Sequence, residues 1–274
     1  MSPCCTPLLT GLCQDDLELS TFLDFLDGGF QSVATEADRR GILARIFSFL
    51  CNVFLAALVV ILVVPSPYRV IWPEAFGLRE VAPRVWTDQA GNAGDLVSLV
   101  NGARVRVSGY FGDTPPAPTV ILCTTQDCAR TFGIGGNGLS MADMVVMVAP
   151  GGLTIGTLSH EMTHSRLHRE MDLGNLVRQP FPTWFDEGLA THVANHPRGG
   201  GRVTQASRAR VRQVTRFWEL DDAFRALGVG RTYGSAAAEV ADMEAKIGRS
   251  AFVRMIRRVE AGESFDTVFA GLLL

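Results

Sequence analysis

The chain has 274 residues, a formal charge of −3 and an isoelectric point near 6.0. A nucleic-acid-binding protein usually carries a basic excess, which this chain lacks, so we expect no nucleic-acid partner. Six cysteines in a chain of this length exclude a small disulfide scaffold. The length suits one domain with extensions, or two small domains.

The longest apolar run covers residues 42–64, and Arg45 is its only charged residue. As a helix, this run would span about 34 Å, enough for a hydrocarbon core of about 30 Å. A cleaved signal peptide is the alternative, but 41 residues precede the run, and signal peptides have a short basic start. The sequence therefore predicts an uncleaved transmembrane helix at 42–64, which would attach the protein to a membrane.

Basic residues cluster on the N-terminal side of this run, at Arg39, Arg40 and Arg45. The positive-inside rule then places residues 1–41 in the cytoplasm, as a mostly disordered tail. The remainder, 68–274, would be a periplasmic or extracellular domain on a single-pass cell-membrane protein.

Patterns of hydrophobicity predict the elements of this domain. Strands are expected where apolar residues alternate or form short runs, at 103–110, 119–123 and 144–149. Helices are expected at 91–101, at 154–171, from Pro182 onward and over 205–274, where glycines break the pattern. Residues 133–138 have the composition of a plain glycine-rich loop. The predicted domain is α+β: a mixed sheet with an active-site helix, then a helical C-terminal half.

All five histidines fall between His160 and His196, and two of them form the motif HEMTH at 160–164. Positions i and i+4 of a helix share one face, so His160 and His164 can bind one metal ion. Glu161 lies beside them, where it could reach a metal-bound water. Independent composition predicts this motif roughly 0.004 times by chance, and incidental histidines on an exposed helix are the alternative.

A catalytic zinc ion needs a third protein ligand. Glu187 lies in the run WFDEGLA, where its charge would be costly to bury unpaired. A zinc ion would balance that charge. The alternative is a surface glutamate in the first turn of a helix, where the helix dipole favours it.

The HEMTH and WFDEGLA motifs, with 22 residues between His164 and Glu187, resemble those of the gluzincin metallopeptidases, which include the thermolysin-like and aminopeptidase families. The resemblance implies a zincin-like fold, and one Zn²⁺ per chain bound by His160, His164 and Glu187. It implies that Glu161 is the general base in hydrolysis of a peptide or protein substrate. It also implies that the strand at 144–149 is the sheet edge that pairs with the substrate.

This chain departs from the aminopeptidases of that group, which have a Gly-x-Met-Glu-Asn segment. The nearest residues here, 135–138, lack the glutamate, so an exopeptidase site is not inferred. The resemblance further suggests Tyr233 as an oxyanion-stabilising residue, with a packing role as the alternative.

Three other histidines remain after these assignments. His168 lies about 12 Å along the helix from His160, too far to share the ion, and is predicted to be a polar neighbour. His192 and His196 are expected at exposed or capping positions.

Cys123 and Cys128 would form a disulfide outside the cytoplasm and remain thiols inside it. The rival function is a catalytically inactive binding or scaffold protein that retains the metal site. An intramembrane protease is disfavoured, because the residues around HEMTH are too polar to insert.

Overall fold

The computed structural model describes residues 36–63, 67–114, 117–169, 179–195 and 202–273. The chain divides into two compact units, residues 1–64 and 65–274. In the first unit, the described residues form one helix, α1 (Glu36–Val63). The predicted tail thus ends in helix at residues 36–41, and residues 1–35 lie outside the described part.

The predicted transmembrane helix is wrong. Within the described residues, no helix combines the length and the apolar character that crossing a membrane requires. Helix α1 begins before the predicted span and includes four further charged residues: Glu36, Asp38, Arg39 and Arg40. The predicted fold class and the single-pass membrane localisation, both of which depended on this helix, are corrected accordingly.

The second unit is α+β, with one mixed five-stranded sheet and mostly helices. Its strands are β1 (Arg79–Ala82), β2 (Val85–Thr87), β3 (Thr119–Leu122), β4 (Gly138–Met141) and β5 (Val145–Val148). Its described α-helices are α2 (Pro67–Ile71), α3 (Ala93–Phe111), α4 (Gln126–Thr131), α5 (Ile155–Leu167), α6 (Thr183–Ala194), α7 (Gln205–Val211), α8 (Leu220–Leu227), α9 (Val229–Ile247), α10 (Arg249–Glu260) and α11 (Phe265–Leu273). Short 3₁₀ helices lie at Pro73–Phe76, Ala90–Asn92, Pro150–Gly152 and Phe217–Glu219.

The sheet has the strand order β1-β2-β3-β5-β4. Strands β2, β3 and β5 are parallel, while β1 and β4 pair antiparallel at the two edges. The predicted edge strand at 144–149 corresponds to β5, which is internal. The edge strand next to it is β4, where Gly138 is paired with Val148.

The sequence predicted a strand at 103–110, but these residues belong to α3. The apolar alternation there is also compatible with a helical period, because Ala103, Val107 and Tyr110 are spaced by four and three residues. All three side chains are buried on one face of the helix. Burial in the large core therefore decided between two periods that the sequence allowed.

Both faces of the sheet are covered, which explains the uninterrupted apolar runs in β3 and β5. Val120 and Val146 face a large core shared with α3, α5, α6 and the C-terminal helices. Ile121 and Met147 face a smaller core beside α4. Cys123 and Cys128 lie in this smaller core and form a disulfide, which resolves the two possibilities that the sequence allowed.

Candidate metal centre

The HEMTH motif lies in the middle of α5, which crosses the domain interior. Thr154 caps this helix, its hydroxyl accepting a hydrogen bond from the Thr157 amide at 3.1 Å. Every residue from 157 to 167 is buried, including both histidines. The helix ends at Leu167, earlier than the predicted Met171.

Arg166 holds the C-terminal end of α5 in place. Its guanidinium is buried and donates hydrogen bonds to Asp113 at 2.8 Å and to Glu260 at 2.6 Å. It also lies over the ring of Phe111. Two carboxylates and an aromatic face thus hold the helix that carries the motif.

Glu187 is carried by α6, which begins directly after Pro182, as the sequence predicted. The neighbouring Gly188 allows α6 to approach α9 very closely, because a Cβ at this position would lie 2.6 Å from the carbonyl oxygen of Ala236. Any larger residue would push α6 outward. Gly188 therefore sets the position of α6, and this in turn sets the position of the adjacent Glu187 carboxylate.

The structure brings the three predicted ligands together. His160 Nε2 and His164 Nε2 lie 3.1 Å apart, and Glu187 Oε2 lies 3.2 Å from the first and 3.4 Å from the second. Nitrogen and oxygen ligands at about 2.0–2.2 Å from a tetrahedral ion lie roughly 3.3–3.6 Å from one another. This buried cluster could hold a metal ion.

Glu187 Oε2 is buried, yet it accepts no hydrogen bond of acceptable geometry within the described part of the chain. An unsatisfied buried carboxylate oxygen is costly. The Nε2 atoms of His160 and His164 lie 3.2 and 3.4 Å from this oxygen, so the two imidazoles are the groups that offset its charge. Burial raises the pKa of Glu187, but the two histidines outweigh burial and lower it to about 2.

The two histidines differ in their surroundings. Burial lowers the pKa of His160, whose Nδ1 faces the hydroxyl of Thr191 at 3.5 Å. Burial also disfavours charged His164, but the carboxylates of Asp186 and Glu187 outweigh that effect and raise the pKa of His164 well above its usual value. The difference in pKa between the two histidines thus comes from the two carboxylates near His164.

Asp186 orients the ring of His164 through a hydrogen bond at Nδ1. His164 Nδ1 donates to one carboxylate oxygen of Asp186 at 2.9 Å, and His168 Nε2 donates to the other at 2.8 Å. A hydrogen bond at Nδ1 leaves the lone pair on Nε2, which faces Glu187. The sequence predicted His168 as a polar neighbour without a role, and Asp186 was not singled out. The position of Asp186 next to Glu187 was the only signal for it that the sequence offered.

Glu161 is buried and lies against the edge strand β4. A Cβ on Gly138 would lie 2.7 Å from Glu161 Oε1 and 2.8 Å from Cγ. The space that Glu161 occupies therefore exists only because residue 138 has no side chain. The sequence placed Gly138 in a plain loop and missed this contact.

Tyr233 also lies next to the cluster. Its ring centre is 5.7 Å from that of His160, in an edge-to-face arrangement, and 5.4 Å from that of Phe224. His192 is not in the cluster, since it donates to Glu244 at 2.8 Å. His196 lies outside the described residues.

Comparisons with known proteins identify no relative. No protein-family model matches the chain, and neither a curated protein nor a solved structure matches it. The resemblance to gluzincins therefore depends on the two motifs alone, and the argument for function depends on the geometry of these residues.

Proposed function

We propose that this protein is a zinc-dependent peptidase of the gluzincin type. The observation that carries the proposal is the convergence of three ligand atoms at one point, with the buried Glu161 next in sequence to His160 and close enough to act on it electrostatically. Zinc suits this set because two imidazole nitrogens and one carboxylate oxygen are a frequent catalytic combination that leaves one position open. When bound, zinc supplies a Lewis acid and lowers the pKa of water towards about 7.

Each of the protein's own residues at the site would then have a separate role. His160, His164 and Glu187 hold the ion, and Asp186 keeps the Nε2 lone pair of His164 directed at it. Glu161 accepts a proton from the attacking water and returns it to the leaving amine. Tyr233, next to His160, donates a hydrogen bond to the oxygen on which negative charge develops. A peptide or protein is the proposed substrate.

The rival function is a non-catalytic binding protein that uses the metal as a structural element. A structural site fills all four positions of a zinc ion with protein ligands. Within the described residues, the cluster offers three. A structural site of this kind would therefore need a fourth protein ligand, whereas three ligands and one open position suit the peptidase.

The decisive experiment compares the full chain with Glu161→Gln. We expect the variant to bind about one zinc per chain, as the wild type does, but to hydrolyse a mixed peptide library about 10²–10⁴ times more slowly. Glu74→Gln is the matched control, because it makes the same change at an exposed position, and we expect it to retain full activity.

Two results would contradict the proposal. If Glu161→Gln hydrolyses peptides as fast as the wild type, Glu161 is not the general base. A folded wild-type protein that binds zinc but cleaves no peptide in the library would establish the binding protein instead.

A further inference from the structure

A second cluster of polar side chains surrounds a groove on the other side of α6. The groove has a volume of about 470 Å³. Arg106 and Tyr110 of α3, His192 near the end of α6 and Arg249 at the start of α10 line it, together with two valines. His192 follows Glu187 by five residues, so the two side chains leave the helix about 140° apart. This groove is therefore separate from the metal centre.

The one carboxylate in this network is already satisfied. Glu244 Oε2 accepts hydrogen bonds from the Tyr110 hydroxyl at 2.6 Å and from His192 at 2.8 Å. Its other oxygen accepts from Arg249 Nε at 3.0 Å. These bonds fix three of the lining side chains in place, and Arg249 also lies over the ring of Tyr110.

The charge of the groove is not balanced. Arg106 donates to the carbonyl oxygen of Ala194 at 2.5 Å, and no carboxylate pairs with it among the described residues. Arg106 and Arg249 contribute two positive charges, and Glu244 contributes one negative charge. The carboxyl end of α6 offsets about half a charge more. A net positive charge therefore remains in a groove whose polar groups are held rigidly.

We propose that this groove binds a small oxyanion, a carboxylate or a phosphate. Arginine is suited to this because its planar guanidinium presents several N–H donors and stays charged. Arg106 uses one of these donors on Ala194, and the two valines would contact an apolar part of the ligand. The ligand would bind at this groove whether or not the metal centre hydrolyses peptides.

The test measures binding of inorganic phosphate and of acetate to the full chain by calorimetry, with ionic strength held constant by sodium chloride. We expect about one anion per chain, and the tighter of the two probes identifies the ligand class. Arg106→Gln should weaken this binding at least about tenfold, since a hydrogen bond to a charged group is lost. Arg210→Gln, at an exposed position of α7, is the matched control and should bind like the wild type.

The proposal is overturned if wild type binds neither probe, or if Arg106→Gln binds as tightly as Arg210→Gln. If Arg106→Gln does not fold, because the Ala194 carbonyl loses its donor, Arg249→Gln replaces it with the same expectation. Zinc content should be unchanged in all three variants, so failure here is distinguishable from failure of the peptidase proposal.

Discussion

Helix α6 contributes one residue to each of two histidine–carboxylate clusters, Glu187 to one and His192 to the other, and the clusters differ in one respect. Around Glu187, three ligand atoms converge at 3.1–3.4 Å and a buried carboxylate oxygen has no hydrogen-bond donor among the described residues. Around Glu244, three donors satisfy both carboxylate oxygens. The two clusters share residue types, and they differ in how the hydrogen-bonding capacity of the carboxylate is met.

The largest expected difference comes from removing each carboxylate charge in turn. Glu187→Gln should weaken zinc binding more than about a hundredfold, beyond the effect of losing an outer partner of a ligand. Glu244→Gln should bind zinc normally and lose about 1–3 kcal/mol of stability, because Arg249 loses its charged partner. Chelator competition and urea unfolding measure the two effects. Equal zinc affinity in the two variants would contradict the comparison.

Gly138→Ala tests whether the position of Glu161 depends on the missing side chain. The new Cβ would displace the buried carboxylate, and misplacement of a catalytic group by about 1 Å can cost about 10²-fold in rate. We expect peptide hydrolysis to fall by that order while zinc content stays normal. Gly94→Ala, with nothing within 4 Å of its Cβ position, is the control. Unchanged hydrolysis in Gly138→Ala would show that Glu161 tolerates displacement.

Asp186→Asn tests the outer partner of the metal centre. An amide retains the shape of the carboxylate but donates from one of its two atoms, so it cannot accept from both His164 and His168. Zinc affinity should fall about 10–100-fold. His168→Gln keeps a donor towards Asp186 and should have a smaller effect. Equal affinities in wild type and Asp186→Asn would mean that α5 alone orients His164.

The smallest effect concerns pH and the Glu244 cluster. Burial raises the pKa of Glu244, but its bonds from Tyr110, His192 and Arg249 outweigh burial and lower it below the usual value. A lowered folded-state pKa gives stability that is present above the unfolded pKa of about 4.3 and is lost as pH falls through the folded value. The free energy of unfolding, measured in urea, should therefore fall more steeply below pH 4.3 for the wild type than for Glu244→Gln. Parallel curves would contradict this.

The three proposed metal ligands could be predicted because local sequence patterns indicate each of them. The i, i+4 spacing of His160 and His164 fixes their shared face once a helix forms, and Glu187 stands out as a charge within an apolar run. The outer partners could not be predicted in this way. Whether Asp186 meets His168 depends on how α6 packs against α5, and no local pattern in the sequence encodes that packing.

The errors also have physical causes. Residues 103–110 satisfy both a strand and a helix period, and burial of one helix face in the large core selected the helix. The edge position of β4 arises from pairing with β5, which no local pattern in its sequence GLSM encodes. Residues 42–64 have the composition of a membrane span, but the described helix that covers residues 42–63 of this run extends into charged sequence, and no described helix meets the requirements for crossing a membrane.

The contact between Arg166 and Glu260 has a consequence for how the protein is made. The two residues are 94 positions apart, and the guanidinium of Arg166 is buried. During synthesis, the HEMTH helix emerges after Asp113, the first carboxylate partner of Arg166, but long before Glu260, the second. Arg166 therefore gains its full set of partners only after α10 has left the ribosome, so the final packing of α5 would come late in synthesis.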